Sequence, residues 1–169
     1  MEHRDDPIYK ELADDGACDE GLGWLRTLPL PLRWRQIWNE CPHPAWLLYL
    51  CASERNDLSD YEYSELENKG NAACADAMRR IIDKSRRPTA IKQKAVEQYR
   101  LALCETGWAI TEHLVFTMLI LRYAWLDKTY VVVPPWKRYA YNEQVEKTCK
   151  PLCDAIRNVL PPLDFEEQS

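Results

Sequence analysis

The sequence predicts an all-α fold: a single-domain helical bundle of six to eight helices with a buried central helix near residues 108–126. Four observations lead there. Glycine is scarce, 5 residues in 169, and apolar side chains recur at intervals of three and four, the spacing of a helix face and not of a strand. Eleven prolines punctuate the chain into helix-length pieces. One piece, Trp108 to Leu126, is apolar on most of its circumference, so neighbouring helices must cover it on several sides.

Residues 1–14 are charged and are expected to be a flexible start. The first helix is expected from about Asp15 to just before Pro29, with Ala17, Gly21, Trp24, Leu25 and Leu28 forming one apolar stripe. Gly21 and Gly23 cost this helix stability relative to alanine, which close approach of a second helix would offset. Pro31 suits the first turn of a second helix, on which Trp34, Ile37, Trp38 and Cys41 share a face. Pro42-His43-Pro44 breaks the chain sharply, and a third helix carries Trp46, Leu47, Leu50 and Cys51. Trp24, Trp38 and Trp46 are expected to be largely buried, since indoles bring the largest apolar area per side chain.

Ser59-Asp60-Tyr61-Glu62 is a capping-box pattern, which predicts a helix over about 60–84 with a break near Gly70. Cys74, Ala77, Met78 and Ile81 mark its buried face. Another helix is expected over about 89–104, interrupted at Gly107 before the central one. Tyr130 to Val133 is a β-like run ended by Pro134-Pro135 and is expected to be an extended connector. A last helix should start at Asn142 as N-cap and reach about Leu160, kinked or split by Pro151. Residues 161–169 form an acidic tail expected to be flexible.

A hydrophobic fraction of 46 % excludes a disordered chain. Glu112, His113 and Arg122 inside the most apolar run argue against a membrane span. Seven cysteines without an apolar leader point to a reducing cytoplasm, bacterial or that of a host cell, with the thiols reduced and packed as small hydrophobes. Charge is uneven. Residues 1–75 hold 7 Lys/Arg against 15 Asp/Glu, whereas residues 76–104 hold 8 against 3. Such asymmetry steers a charged partner, or it matches an acidic helix to a basic one within the molecule.

Ala17, Cys18, Gly21, Leu22 and Trp24, followed by Trp38, Cys41, Trp46, Leu47, Leu48, Tyr49 and Leu50, make the pattern ACDEGLGW…WNECPHPAWLLYL. It is similar to the immunity-protein family found in bacterial toxin–immunity loci and in phage genomes. Ala73-Cys74-Ala75 and Arg87-Pro88-Thr89-Ala90-Ile91 echo the same family more weakly. The resemblance covers about residues 15–100, and its motifs are packing residues. It implies an α-helical domain that binds and neutralises another protein, a bacterial toxin or a defence-system component. The chain departs from the pattern in its central helix and in everything after Thr129, where target choice would sit.

No catalytic fingerprint is present, and no enzyme activity, cofactor or metal is expected. Cys41 with His43 is the pairing a small Cys/His enzyme would use; the alternative is two packed core residues. Glu112-His113 reads as a buried acid–base or metal pair, or as a core histidine beside a glutamate that reaches the surface or Arg122. Cys149 and Cys153 share a helix face, but a zinc site needs about four ligands. Arg79, Arg80, Lys84, Arg86, Arg87, Lys92 and Lys94 form a basic corner that would grip phosphates, or a solvated turn; overall acidity counts against nucleic acid. Two patches suit a protein partner. One is Trp136, Lys137, Arg138, Tyr139 and Tyr141, aromatic and basic residues interleaved after a Pro-Pro turn. The other is the acidic run Asp57, Asp60, Glu62, Glu65 and Glu67 with Tyr61 and Tyr63 between, which would act on a basic target through on-rate and selectivity. The expected function is therefore a non-catalytic, protein-binding inhibitor, with a nucleic-acid-associated protein as the alternative.

Overall fold

The computed structural model describes residues 1–54, 58–122 and 143–160, the side chains of 52–54 and 143–146 excepted. All regular structure among these residues is helical: a 3₁₀ turn (His3–Asp5) and eight α-helices. They are α1 (Pro7–Asp14), α2 (Asp19–Leu25), α3 (Trp34–Glu40), α4 (Pro44–Glu54), α5 (Asp60–Lys84), α6 (Thr89–Leu103), α7 (Ala109–Arg122) and α8 (Glu143–Val159).

The start of the chain departs from expectation, because it is a helix with both ends closed. The Asp6 carboxylate accepts the Ile8 and Tyr9 amides, and Pro7 occupies the first helical position. At the other end Gly16 adopts φ +88°, with Gly16 N–H donating to Ala13 O and Ala17 N–H to Leu12 O. That is a Schellman ending, for which glycine avoids the left-handed penalty. Tyr9 and Leu12 are buried by it.

The Schellman turn also explains why α2 begins at Asp19 and not near Asp15. Cys18 is its N-cap, the sulfur accepting the Gly21 amide at 3.4 Å. Likewise α3 starts at Trp34 and not Pro31, since the Leu32 amide is held by Asp6 Oδ2 at 3.0 Å and Arg33 is extended. Trp24 and Trp38 are buried as expected, whereas Trp46 is only partly so. A side chain at Gly23 would meet nothing within 4 Å, so no helix approaches there; one at Gly21 would make ordinary contact with Cys18 and Trp46.

The capping box is present in full: Ser59 Oγ accepts the Glu62 amide and Glu62 Oε2 accepts the Ser59 amide at 2.8 Å. The helix it starts runs through Gly70 without a break. A methyl at Gly70 would lie 2.5 Å from Leu48 Cδ2, so Leu48 of α4 packs directly on this glycine of α5. Gly107, at φ +60°, turns α6 into α7, and Asn71 Nδ2 donates to its carbonyl. The two helices form a hairpin.

The central helix is α7, packed against α6, α5, α8 and α4. Leu114 and Val115 are fully buried on it, and Thr111 and Thr117 satisfy their buried hydroxyls on the carbonyls of Trp108 and His113. Trp108 itself lies outside the helix and is 52 % exposed. Residues 123–126 lie outside the described residues. So do Tyr130–Val133, Asn142 and the tail at 161–169. In α8, Pro151 lies on the exposed face, where water can satisfy the carbonyl that its missing N–H leaves free, and the helix is not split. Arg157 ties α8 to the end of α3, donating to the carbonyls of Trp38 (3.0 Å) and Cys41 (2.6 Å). Cys41, Cys51, Cys74, Cys149 and Cys153 are buried and outside any disulfide, but Cys18 and Cys104 are exposed, so the cysteines are not all core. Among the described residues no helix is long and apolar enough to cross a membrane.

Candidate functional site

The turn Pro42-His43-Pro44 sits where α3, α4 and α7 meet. Pro42 follows the end of α3 and Pro44 opens α4, and His43 between them is left pointing into the protein, 2 % exposed. The Ala45 amide donates to His43 Nδ1 at 3.2 Å. That bond places the ring proton on Nε2. Nε2 faces Glu112 Oε2 of α7 at 3.6 Å, and the imidazole stacks on Trp46 with centroids 5.0 Å apart.

These groups form one end of a pocket of about 410 Å³. Its walls are Trp24 and Cys18 from α2 and its cap, Trp46 and Tyr49 from α4, Tyr63 from α5, and Trp108 at the entrance to α7. Trp24 and Trp46 meet at 6.1 Å with their planes tilted by 35°. Such a cavity, mostly apolar with a few convergent polar groups, is the usual form of a ligand site.

The polar end is unusual in its electrostatics. Burial lowers the His43 pKa to about 3, so the ring is neutral. Burial, with Glu20 nearby, raises that of Glu112 to about 7. Among the described residues Glu112 Oε2 has no hydrogen-bond partner, and no lysine or arginine lines the pocket. Glu112 therefore does not reach the surface or Arg122, as one sequence reading had it. Its neighbour His113 points elsewhere, Nδ1 on Gln98 at 3.0 Å and Nε2 3.5 Å from Glu105. Adjacent helix positions diverge in direction, so the pair in sequence is not a pair in space.

Cys41 and His43 do not form a thiol–imidazole pair. The Cys41 thiol donates to the His43 carbonyl at 3.5 Å, and burial pushes its pKa up to about 12. Cys149 and Cys153 are buried side by side on α8, with burial raising both thiols. Among the described residues no three potential ligands gather at one metal-sized site.

Of the expected partner-binding residues, Asp60, Tyr61, Glu62, Tyr63 and Glu65 share the first turns of α5. Asp60, Glu62 and Glu65 are exposed, and Tyr61 is 71 % exposed with its hydroxyl on Glu65 at 2.8 Å. Glu62 is engaged in the capping box, whose amide lowers its pKa. Tyr63 is half-buried and belongs to the pocket wall, a link the sequence did not disclose. Asp57, Trp136, Lys137, Arg138, Tyr139 and Tyr141 lie outside the described residues. The basic corner acquires members that its segment did not show. Arg80, Lys84 and Arg87 share a second cavity, of about 720 Å³, with Arg122 of α7 and Lys147 of α8.

No family model, curated protein or solved structure matches the chain.

Proposed function

We propose that this chain is a non-catalytic binding protein that inhibits a bacterial protein by covering its surface, in the manner of an immunity protein or a phage counter-defence factor. It would work in the cytoplasm of a bacterium or its host, without turnover. The observation that carries the reading is the start of α5. An exposed tyrosine stands among three exposed carboxylates on a capped helix end, whose Tyr63 lines an aromatic pocket. Tyrosine is enriched in interface hot spots, and it loses little entropy on being fixed. The carboxylates favour a basic partner and act mainly on encounter rate. The resemblance over residues 15–100 supports the same class of function. Trp136, Lys137, Arg138, Tyr139 and Tyr141 belong to the proposal as a second contact.

The test is affinity capture from the source cell or its host, followed by mass spectrometry and measured binding. Because Glu62 closes the cap, the informative variant is Tyr61→Ala with Glu65→Lys, which leaves the cap intact. It should keep the wild-type melting temperature and weaken the partner at least tenfold, by at least ~1.4 kcal/mol, most strongly at low salt. Trp136→Ala with Tyr139→Ala tests the second contact. A captured partner that binds both variants at full affinity would refute the assignment.

One observation favours a second reading. Five cations from α5, its following turn, α7 and α8 face one cavity in which Asp154 is the sole carboxylate among the described residues. That arrangement suits a phosphate-bearing partner. Nucleic-acid binding whose log affinity falls linearly with log salt, and which is lost in Arg80→Ala with Lys147→Ala, would favour it.

A further inference from the structure

We propose that the pocket between α2, α4, α5 and α7 binds an organic cation carried on a small apolar body, with Glu112 as its counter-ion and the surrounding aromatic rings as its cage. The geometry demands a positive guest. Glu112 is 7 % exposed and lines the pocket, and its enclosed Oε2 has no hydrogen-bond donor among the described residues. Among the described residues, the titratable groups near it are Glu20 and Cys18 from α2 and its cap, His43 before α4 and Cys149 on α8, with Tyr63 of α5 in the same pocket lining. None of them is positive near neutral pH. His43 is fixed as the neutral tautomer by the Ala45 amide, so it can donate at most one proton and no charge.

The walls make the same selection. Indole and phenol faces attract cations, and more so where water is excluded. Trp24, Trp46, Tyr49, Tyr63 and the half-exposed Trp108 line the cavity. An anion would meet Glu20 and Glu112. A neutral apolar guest would leave Glu112 buried against hydrocarbon without compensation. A compact ammonium group answers both, and about 410 Å³ accommodates one with its stem. This site is independent of the partner-binding reading, since it is tested on the isolated protein with small molecules.

Choline is a suitable probe, and 3,3-dimethylbutan-1-ol is its uncharged isostere. Tryptophan fluorescence should report saturable binding of choline, at least about tenfold tighter than of the alcohol. Binding should tighten severalfold from pH 6 to pH 8 as Glu112 ionises. Calorimetry at pH 7 in buffers of different ionisation enthalpy should show about half a proton released per choline bound, since the guest favours the carboxylate. This measurement needs no variant. Glu112→Gln should cut the preference over the alcohol severalfold, to what the aromatic rings alone supply, while retaining the fold. Equal binding of the two probes by the wild type overturns the proposal, as do absence of binding, choline binding without proton release, or discrimination undiminished in Glu112→Gln.

Discussion

Glu112 and His43 set opposite pH dependences on one fold. Glu112 holds its proton up to about 7 when folded against an ordinary 4.5, so over that interval the native state carries the extra proton and stability falls as pH rises. His43 titrates at about 3 when folded against an ordinary 6.5, so the unfolded chain carries the extra proton and stability rises with pH. The two slopes largely cancel between pH 4.5 and 6.5. Glu112→Gln removes one of them. Its unfolding free energy, measured by urea titration, should match wild type near pH 5 and exceed it by ~2–3 kcal/mol at pH 8. A difference that is the same at both pH values would show that Glu112 is not buried as described. Both residues drew notice in the sequence, but with the wrong companions: Glu112 with His113, and His43 with Cys41. Neighbours along a helix or across a turn are visible in a sequence. A contact between the α3–α4 turn and α7 is not, because it depends on how the helices pack.

At the scale of elements, legibility followed local chemistry. The Ser59–Glu62 box predicted the start of α5 to the residue, because both halves of the motif lie within one turn. Helix α1 had signals just as local, Asp6-Pro7 at its start and Gly16 at its end, but its charge obscured them. Gly70 shows the opposite case. Glycine in a helix interior suggests a break, yet α5 is continuous and the residue is instead the point of contact with Leu48. Gly70→Ala weighs two effects. Helix propensity favours alanine by ~1 kcal/mol. The new methyl would lie 2.5 Å from Leu48 Cδ2 and 3.5 Å from Leu160 Cδ1, in a region where both leucines are fully enclosed. Overpacking costs ~1–3 kcal/mol, so the variant should be less stable than wild type, and Leu48→Ala in the same chain should recover part of the packing strain. Thermal melts of the two single variants and the double variant check this. A Gly70→Ala protein more stable than wild type would mean that the contact yields without cost.

Across the whole molecule, distant segments are tied by a few charged side chains, and this level was the least legible. The basic cavity is an assembly of this kind, since the 79–94 run announced itself while Arg122 and Lys147 came from other helices. Arg157 joins α8 to the end of α3 through two backbone carbonyls. The N-terminal segment does the same at the other side. Asp6 holds the Leu32 amide, Arg26 donates to the Tyr9 hydroxyl at 2.6 Å, and His3 Nε2 lies 2.9 Å from the Leu28 carbonyl. Removal of residues 1–16 therefore takes more than one short helix. It exposes what Tyr9 and Leu12 covered, at ~1.5–3 kcal/mol for each buried side chain. It also frees the connection between α2 and α3, and strips Leu12 and Gly16 from the pocket. Against a typical domain stability of ~5–15 kcal/mol the loss is large, and at ~2–4 °C per kcal/mol the melting temperature should fall by at least ~6 °C. Asp6→Ala, which leaves α1 in the chain but removes its cap and its hold on Leu32, should produce a smaller fall in the same direction. Calorimetry of the three proteins decides it. A truncated chain that melts within a degree or two of wild type would show that α1 is an appendage, and that the core begins at α2.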